Sequence, residues 1–156
     1  MNKIFLLLLL LFNINFIKSQ IISPIFGKES FKNNIITNIR LANNSIKATI
    51  YKLDDNDIIG EITNASKRGV IFDFICDEDA YKECINFEKY GRISKFTKKS
   101  YNKLHAKSIL IDNKILILGS FNLDKSAFTT NMEVGIIIED TNVVNNYNNF
   151  LQKVKE

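Results

Sequence analysis

The order of apolar patterns along the chain predicts an α/β domain, a mixed β-sheet flanked by helices. Three observations predict it. Segments with strand-like apolar character alternate with segments of helical spacing. The 156 residues, 46% of them hydrophobic, suit one domain with an ordinary core. No internal repeat or long linker divides the sequence.

The first nineteen residues stand apart from that domain. Lys3 precedes an unbroken apolar run over 4–12, a weaker apolar tail reaches Ile17, and Lys18, Ser19 and Gln20 are polar. A basic start, an apolar centre and small residues before a cut predict a secretory signal peptide over 1–19 and a domain over 20–156. The run falls short of the about 20 apolar residues of a transmembrane helix. An uncleaved membrane anchor is the alternative, because Ile21 and Ile22 resume the apolar character. A secreted or luminal location follows from the first reading and a membrane-anchored one from the second.

Within the domain, residues 30–41 carry Phe31, Ile35, Ile36 and Ile39 at helical spacing. Residues 45–51 read as a strand with Ile46, Ala48 and Ile50 on one face. Residues 57–67 place Ile58, Ile59, Ile62 and Ala65 on a helix, with Asp54, Asp55 or Asn56 available as its cap. Arg68-Gly69 ends that helix and 70–76 is a near-continuous apolar strand. A short helix over 78–87 and a basic loop or short strand through Ile93 come next. Residues 103–111 and 114–118 read as two strands joined by Asp112-Asn113, residue types that favour a tight hairpin. A short helix over 123–129, a strand over 132–138 and an amphipathic helix over 143–154 close the chain.

The formal charge is +4, but the first nineteen residues hold two lysines and no acid, so the remainder carries +2. Distribution matters more than the total. Lys89, Arg92, Lys95, Lys98, Lys99, Lys103 and Lys107 follow one another with no acid between them, while acids gather at 54–61 and 73–83. A basic stretch of this kind is the footprint expected for a polyanion, or else a solvated lysine-rich loop. If it binds nucleic acid, Arg92, Lys95, Lys98, Lys99 and Lys103 are the contacts, with Tyr90, Phe96 and Tyr101 able to stack on bases.

Cys76 and Cys84, with a single histidine, are too few for a zinc site. In an exported protein the two cysteines could form one disulfide. The sequons at Asn43 and Asn64 add little in a chain this rich in asparagine.

The one histidine, His105, opens His105-Ala-Lys107-Ser-Ile-Leu-Ile-Asp112, followed by Gly119-Ser120-Phe121-Asn122. Residues two apart on a strand share a face, so His105 and Lys107 are expected to project together. The hairpin would return Gly119–Asn122 beside them, at a turn into a helix whose N–H groups favour an anion. A phosphate there would meet Lys107, Ser120 and Asn122, with the imidazole in reach as nucleophile or proton donor. Taken singly, each residue has a plainer reading. His105 could be structural, Lys107 a snorkelling surface lysine, Asp112 a turn former, Ser120 or Asn122 a helix cap, and Glu133 a solvent-facing strand residue. Jointly they are harder to dismiss, because His-x-Lys-x4-Asp-x6-Gly-Ser-x-Asn sets six residue types at stated distances.

This string resembles the HKD motif of the phospholipase D superfamily, and Asn131-Met-Glu133-Val resembles the acidic position that follows it in small members. The similarity runs over about residues 23–156. It is nearest to single-motif members, the Nuc-type endonucleases and the mitochondrial cardiolipin hydrolase or Zucchini group. The resemblance implies a phospholipase D-like fold with one half-site per chain, and a metal-independent phosphodiesterase without cofactor. His105 would form a phosphohistidine and the His105 of a second subunit would protonate the leaving oxygen. Lys107, Ser120 and Asn122 would hold phosphoryl oxygens, Glu133 would orient or charge-stabilise an imidazole, and Asp112, a motif member, would support the hairpin. One motif per chain implies a homodimer with its active site on the two-fold axis. Nucleic acid, DNA or RNA, is the expected substrate. Phospholipid such as cardiolipin is the alternative, and an idle nucleic-acid-binding protein of the same fold is a third reading. The Zucchini type carries a zinc-binding insertion whose ligands and length are missing here, which weighs against the mitochondrial outer membrane.

Overall fold

The structure is a computed structural model and describes residues 21–97 and 100–155. The segment read as a signal peptide lies outside the described residues, as do Lys98 and Lys99.

Apolar alternation in the strands is matched by burial on two faces of a sheet. β1 (Ile21–Phe26), β2 (Ser45–Ile50), β3 (Ile71–Cys76), β4 (Gly91–Lys95), β5 (Ser108–Ile111), β6 (Ile115–Gly119) and β7 (Val134–Glu139) form one sheet in the order β1-β7-β6-β5-β2-β3-β4. β2, β3 and β4 are parallel and the remaining pairs antiparallel, giving the mixed sheet the alternation predicted. Ile46, Ala48, Ile50, Phe72, Phe74, Ile109 and Ile117 pack on one side against α1 (Lys28–Leu41), α2 (Asn56–Lys67) and α3 (Glu78–Cys84). Leu110, Leu116, Ile138 and Ile75 point the other way, onto Val144 and Leu151 of the closing helix α5 (Thr141–Lys155). The short α4 (Lys125–Thr129) joins the first core through Ala127 and Phe128.

Local chemistry explains the boundaries. Of the three cap candidates for α2, Asp55 does the work, accepting from the backbone N–H groups of Asp57 and Ile58, each at 3.1 Å. The β5–β6 hairpin turns on Asp112 and Asn113, at φ of 51° and 53°, the left-handed pair of a type I′ turn.

Several expectations are corrected. β1 was not foreseen. It pairs along β7, and Ile21 and Ile22 form its start. The strand expected from residue 103 begins only at Ser108, so 103–107 is irregular chain. The helix over 78–87 stops at Cys84 and tightens into a 3₁₀ turn, Ile85–Tyr90. Helix α4 starts at Lys125, two residues late, because Asp124 caps it. The last strand starts at Val134 rather than at residue 132. Cys76 and Cys84 are buried free thiols, not a disulfide. The hydrogen bond with Cys84, together with burial, pushes the Cys76 thiol far up from its ordinary range. Among the described residues, no helix is long and apolar enough to cross a membrane.

Candidate active site

The site gathers at the carboxyl ends of β2 and β3, where open α/β sheets place their ligands. β2 runs on into Tyr51, and residues 52–55 are stitched to the chain leaving β6. The Leu123 N–H donates to Lys52 O at 3.1 Å, and Leu123 O accepts from the N–H groups of Asp54 at 3.1 Å and Asp55 at 3.2 Å. These bonds seat residues 120–124 beside Tyr51. Gly119 makes the turn into that segment possible by close approach. A Cβ there would lie 2.6 Å from Val134 O and 2.8 Å from the Phe121 ring. Phe121 is itself buried, against Phe31 of α1 with ring centroids 4.6 Å apart.

His105 is exposed and stands on the irregular segment 103–107. Backbone bonds hold that segment on both sides of His105. The buried Leu104 N–H donates to Asp77 Oδ2 at 2.7 Å, at the end of β3, and the Lys107 carbonyl accepts from the Gly119 N–H at 3.4 Å, while inside the segment Lys107 Nζ donates to the carbonyl of His105 at 2.9 Å. The expectation that a strand aligns His105 with Lys107 is therefore replaced by another arrangement. Both side chains converge on Tyr51. The imidazole meets the Tyr51 ring edge-on, centroids 4.9 Å apart at 61°, and the Lys107 ammonium lies 5.0 Å from the ring centroid. Lys103 joins them, 5.3 Å from the centroid, and its Nζ donates to the Tyr51 hydroxyl at 2.9 Å.

Lys107 is 9% exposed. Burial pushes its ammonium below the ordinary lysine range, while Glu133 and Asp124 pull it back up. Glu133, also buried, accepts from the Ser120 hydroxyl and, at 3.2 Å, from the Asn131 side-chain amide. Ser120 Oγ in turn accepts from the Val134 N–H at 3.2 Å. Asp124 accepts from the Ala127 N–H at 2.8 Å and sits 3.7 Å from Lys52. That cap corrects the helix-terminus reading, since in a helix only one turn long the Ala127 N–H is taken by Asp124 and the Lys125 N–H by Asp54 at 2.9 Å. The side-chain carbonyl Oδ1 of Asn122 is buried without a hydrogen-bond partner among the described residues.

His105, Lys107, Ser120, Asn122, Glu133 and Lys103 are thus brought to one end of the sheet. Asp112 is not. It lies at the opposite end of β5, where its carboxylate accepts from the N–H groups of Asn43 at 3.0 Å, Asn44 at 2.8 Å and Ser45 at 2.8 Å, tying the hairpin to the start of β2. The basic stretch is also less segregated in space than in sequence. Lys95 pairs with Glu78 at 2.6 Å, and Arg92 with Asp73 at 3.8 Å. Tyr90 packs on Phe72, whereas Phe96 and Tyr101 line a cleft of about 450 Å³ with His105, Phe150 and Lys153.

Tyr51, Asp77 and Asp124 are the site residues that sequence reasoning missed. Tyr51 and Asp77 each follow an apolar strand directly, a position that could have singled them out.

A mixed sheet of this topology carries a histidine, lysine and asparagine cluster at one end of its strands, and its sequence matches a known family over most of its length. The family model described as cardiolipin synthase, PLD-like domain, matches residues 35–155. The chain belongs to this phospholipase D-like family. It is 30% identical over 121 residues to the phospholipase D of Rickettsia prowazekii, covering 72% of this chain and 57% of that one. It is 29% identical over 127 residues to cardiolipin synthase A of Buchnera aphidicola subsp. Schizaphis graminum, covering 75% of this chain and 26% of that one. The chain therefore spans about a quarter of the synthase and just over half of the phospholipase. Among solved structures, the phospholipase D family member Nuc of Salmonella typhimurium superposes with a TM-score of 0.77 at 22% identity, covering 87% of this chain and 94% of Nuc. NucT of Helicobacter pylori gives 0.73 at 24% identity, covering 87% and 96%.

Proposed function

We propose that this domain is a phosphodiesterase that works as a homodimer, with nucleic acid as its substrate. The observation that carries the reading is the exposed His105 imidazole standing with the Lys107 and Lys103 ammonium groups at one ring. An imidazole nitrogen attacks phosphorus while the bond to the leaving oxygen breaks, giving a phosphohistidine. The leaving oxygen takes its proton from the His105 of a second subunit, since these 156 residues hold one histidine. The second imidazole then takes a proton from water, whose oxygen bonds to phosphorus as the phosphorus–nitrogen bond breaks, releasing the phosphate monoester and restoring both imidazoles. Lys107 and Lys103 offset the charge on the phosphoryl oxygens, with Ser120 and the Asn122 amide N–H as donors. Glu133, fixed through Ser120, supports the Lys107 ammonium electrostatically.

Nucleic acid is favoured by the lining of the cleft beside His105. Phe96, Tyr101 and Phe150 offer aromatic faces and Lys103 and Lys153 offer cations, the combination that holds stacked bases along a phosphate chain. The direct assay is cleavage of plasmid DNA and single-stranded oligonucleotides in EDTA, with loss of cleavage in His105→Asn. Inactivity on DNA and RNA alike would overturn the reading.

A phospholipid substrate is the second reading, favoured by the apolar Leu104 and Val154 in the same cleft. Headgroup release from cardiolipin or phosphatidylcholine vesicles without nuclease activity would put it first.

A further inference from the structure

We propose that Tyr51 is a positioning residue of this site, whose ring sets the orientation of the His105 imidazole and holds the Lys103 and Lys107 side chains beside it. The inference concerns the geometry around His105, and its catalytic consequence rests on the phosphodiesterase reading.

The two partners differ in how firmly the backbone holds them. Tyr51 lies between two anchored neighbours. On one side the carbonyl of Ile50 accepts from the Asp77 N–H at 2.8 Å, and on the other Lys52 and Leu53 pair with Leu123. His105 belongs to no strand, and the backbone of its segment is held at Leu104 and, by a longer 3.4 Å bond from the Gly119 N–H, at Lys107. An exposed side chain on irregular backbone has several staggered rotamers open to it. The ring-edge contact at 4.9 Å and 61° selects among them, because an aromatic pair prefers this tilted arrangement.

A plain packing role fits Tyr51 poorly. It is half-buried and absent from the apolar core, and its ring meets His105, Lys103 and Lys107. Two ammonium groups lie about equally far from its centroid, at 5.0 and 5.3 Å. Two like charges at one ring disfavour each other. The negative face of the ring and the hydroxyl oxygen, which accepts from Lys103, offset that repulsion before any phosphate arrives. The hydroxyl contact also raises the Lys103 ammonium above its ordinary range, keeping it charged. Substrate then meets a nucleophile and two cations already in place, which is where a preorganised site gains rate.

The chain's single histidine makes the idea unusually direct to test, since an untagged protein has one imidazole to observe. In the wild-type protein, nuclear Overhauser contacts between the His105 and Tyr51 ring protons are expected, and their absence would overturn the proposal. Tyr51→Leu should move the His105 ring resonances by removing the ring current, while Tyr51→Phe should leave them near their wild-type positions. In turnover, Tyr51→Leu should lower kcat about 10- to 100-fold with KM changed less than about 3-fold, the signature of misplacement rather than lost binding. Tyr51→Phe should recover most of that loss. His105 resonances unchanged in Tyr51→Leu, or a wild-type kcat in that variant, would contradict the proposal. The magnetic-resonance readout does not depend on turnover. A protein inactive on every phosphodiester would sink the functional reading and leave this one standing.

Discussion

Asp77 and Leu104 are joined across 27 residues by one buried hydrogen bond, from the Leu104 N–H to Asp77 Oδ2 at 2.7 Å. Asp77 ends the run of β3 and its other oxygen reaches the Asp79 N–H at the start of α3. One carboxylate therefore couples the sheet to the irregular segment that carries His105. Asp77→Ala is expected to cost about 1–3 kcal/mol for the orphaned buried N–H and to lower kcat by more than the stability loss explains. Asp77→Asn should fall between, because its amide keeps one acceptor. Thermal melts read beside initial rates check this, and an unchanged kcat in Asp77→Ala would count against the coupling.

Asp112 should separate stability from chemistry. Burial pushes its carboxyl up, but the backbone N–H groups of Ser45, Asn43 and Asn44 together outweigh that and hold it below the ordinary aspartate range. A carboxylate depressed in the folded state stabilises above its unfolded pKa of about 3.9 and loses that contribution as pH falls through the lower folded value. Urea midpoints of the wild type should therefore fall below about pH 4 more steeply than those of Asp112→Asn. At neutral pH, Asp112→Ala is expected to lower stability by about 1–3 kcal/mol while the remaining folded protein keeps its kcat.

Lys107 should show the opposite trade. Its ammonium is held in a buried place that lowers its pKa, so its charged form costs the folded state. Lys107→Met is expected to abolish turnover and leave the melting temperature equal or higher. A melt several degrees lower would show that the lysine is structural.

Gly119→Ala places a methyl group 2.6 Å from Val134 O and against the Phe121 ring. Strand β6 and its partner β7 must shift, moving Ser120 and Glu133 apart. A loss of about 1–3 kcal/mol with a disproportionate fall in kcat is expected.

Much of the fold was legible because its elements bury what their periodicity says they should. Ile46, Ala48 and Ile50 in β2, and Ile58 and Ile62 in α2, face the core as read. β1 was not legible, since Ile21 and Ile22 continue the apolar leader pattern and Pro24 interrupts a strand that lies at the sheet edge, where proline is tolerated. The motif named His105, Lys107, Ser120, Asn122 and Glu133, and all five gather at one end of the sheet. Their arrangement was hidden, because residues 103–107 alternate like a strand yet form none, with a single backbone bond to β6 at Lys107. The basic stretch is less segregated in space than in sequence for a related reason. Glu78 and Asp73, distant in sequence, come beside Lys95 and Arg92. Tyr51 was read as the last residue of a strand, and only the fold shows that His105 and two lysines meet on it.

Subunit mixing tests the central claim, that two copies of His105 share one site. Wild-type chains are co-refolded with His105→Asn chains in varying ratio at constant total protein, and phosphodiesterase activity is measured. If each dimer builds one site from two imidazoles, activity follows the square of the wild-type fraction, so an equal mixture keeps about a quarter of the all-wild-type rate. A linear fall, with half the rate at equal mixing, would show that a single His105 suffices and would contradict the account.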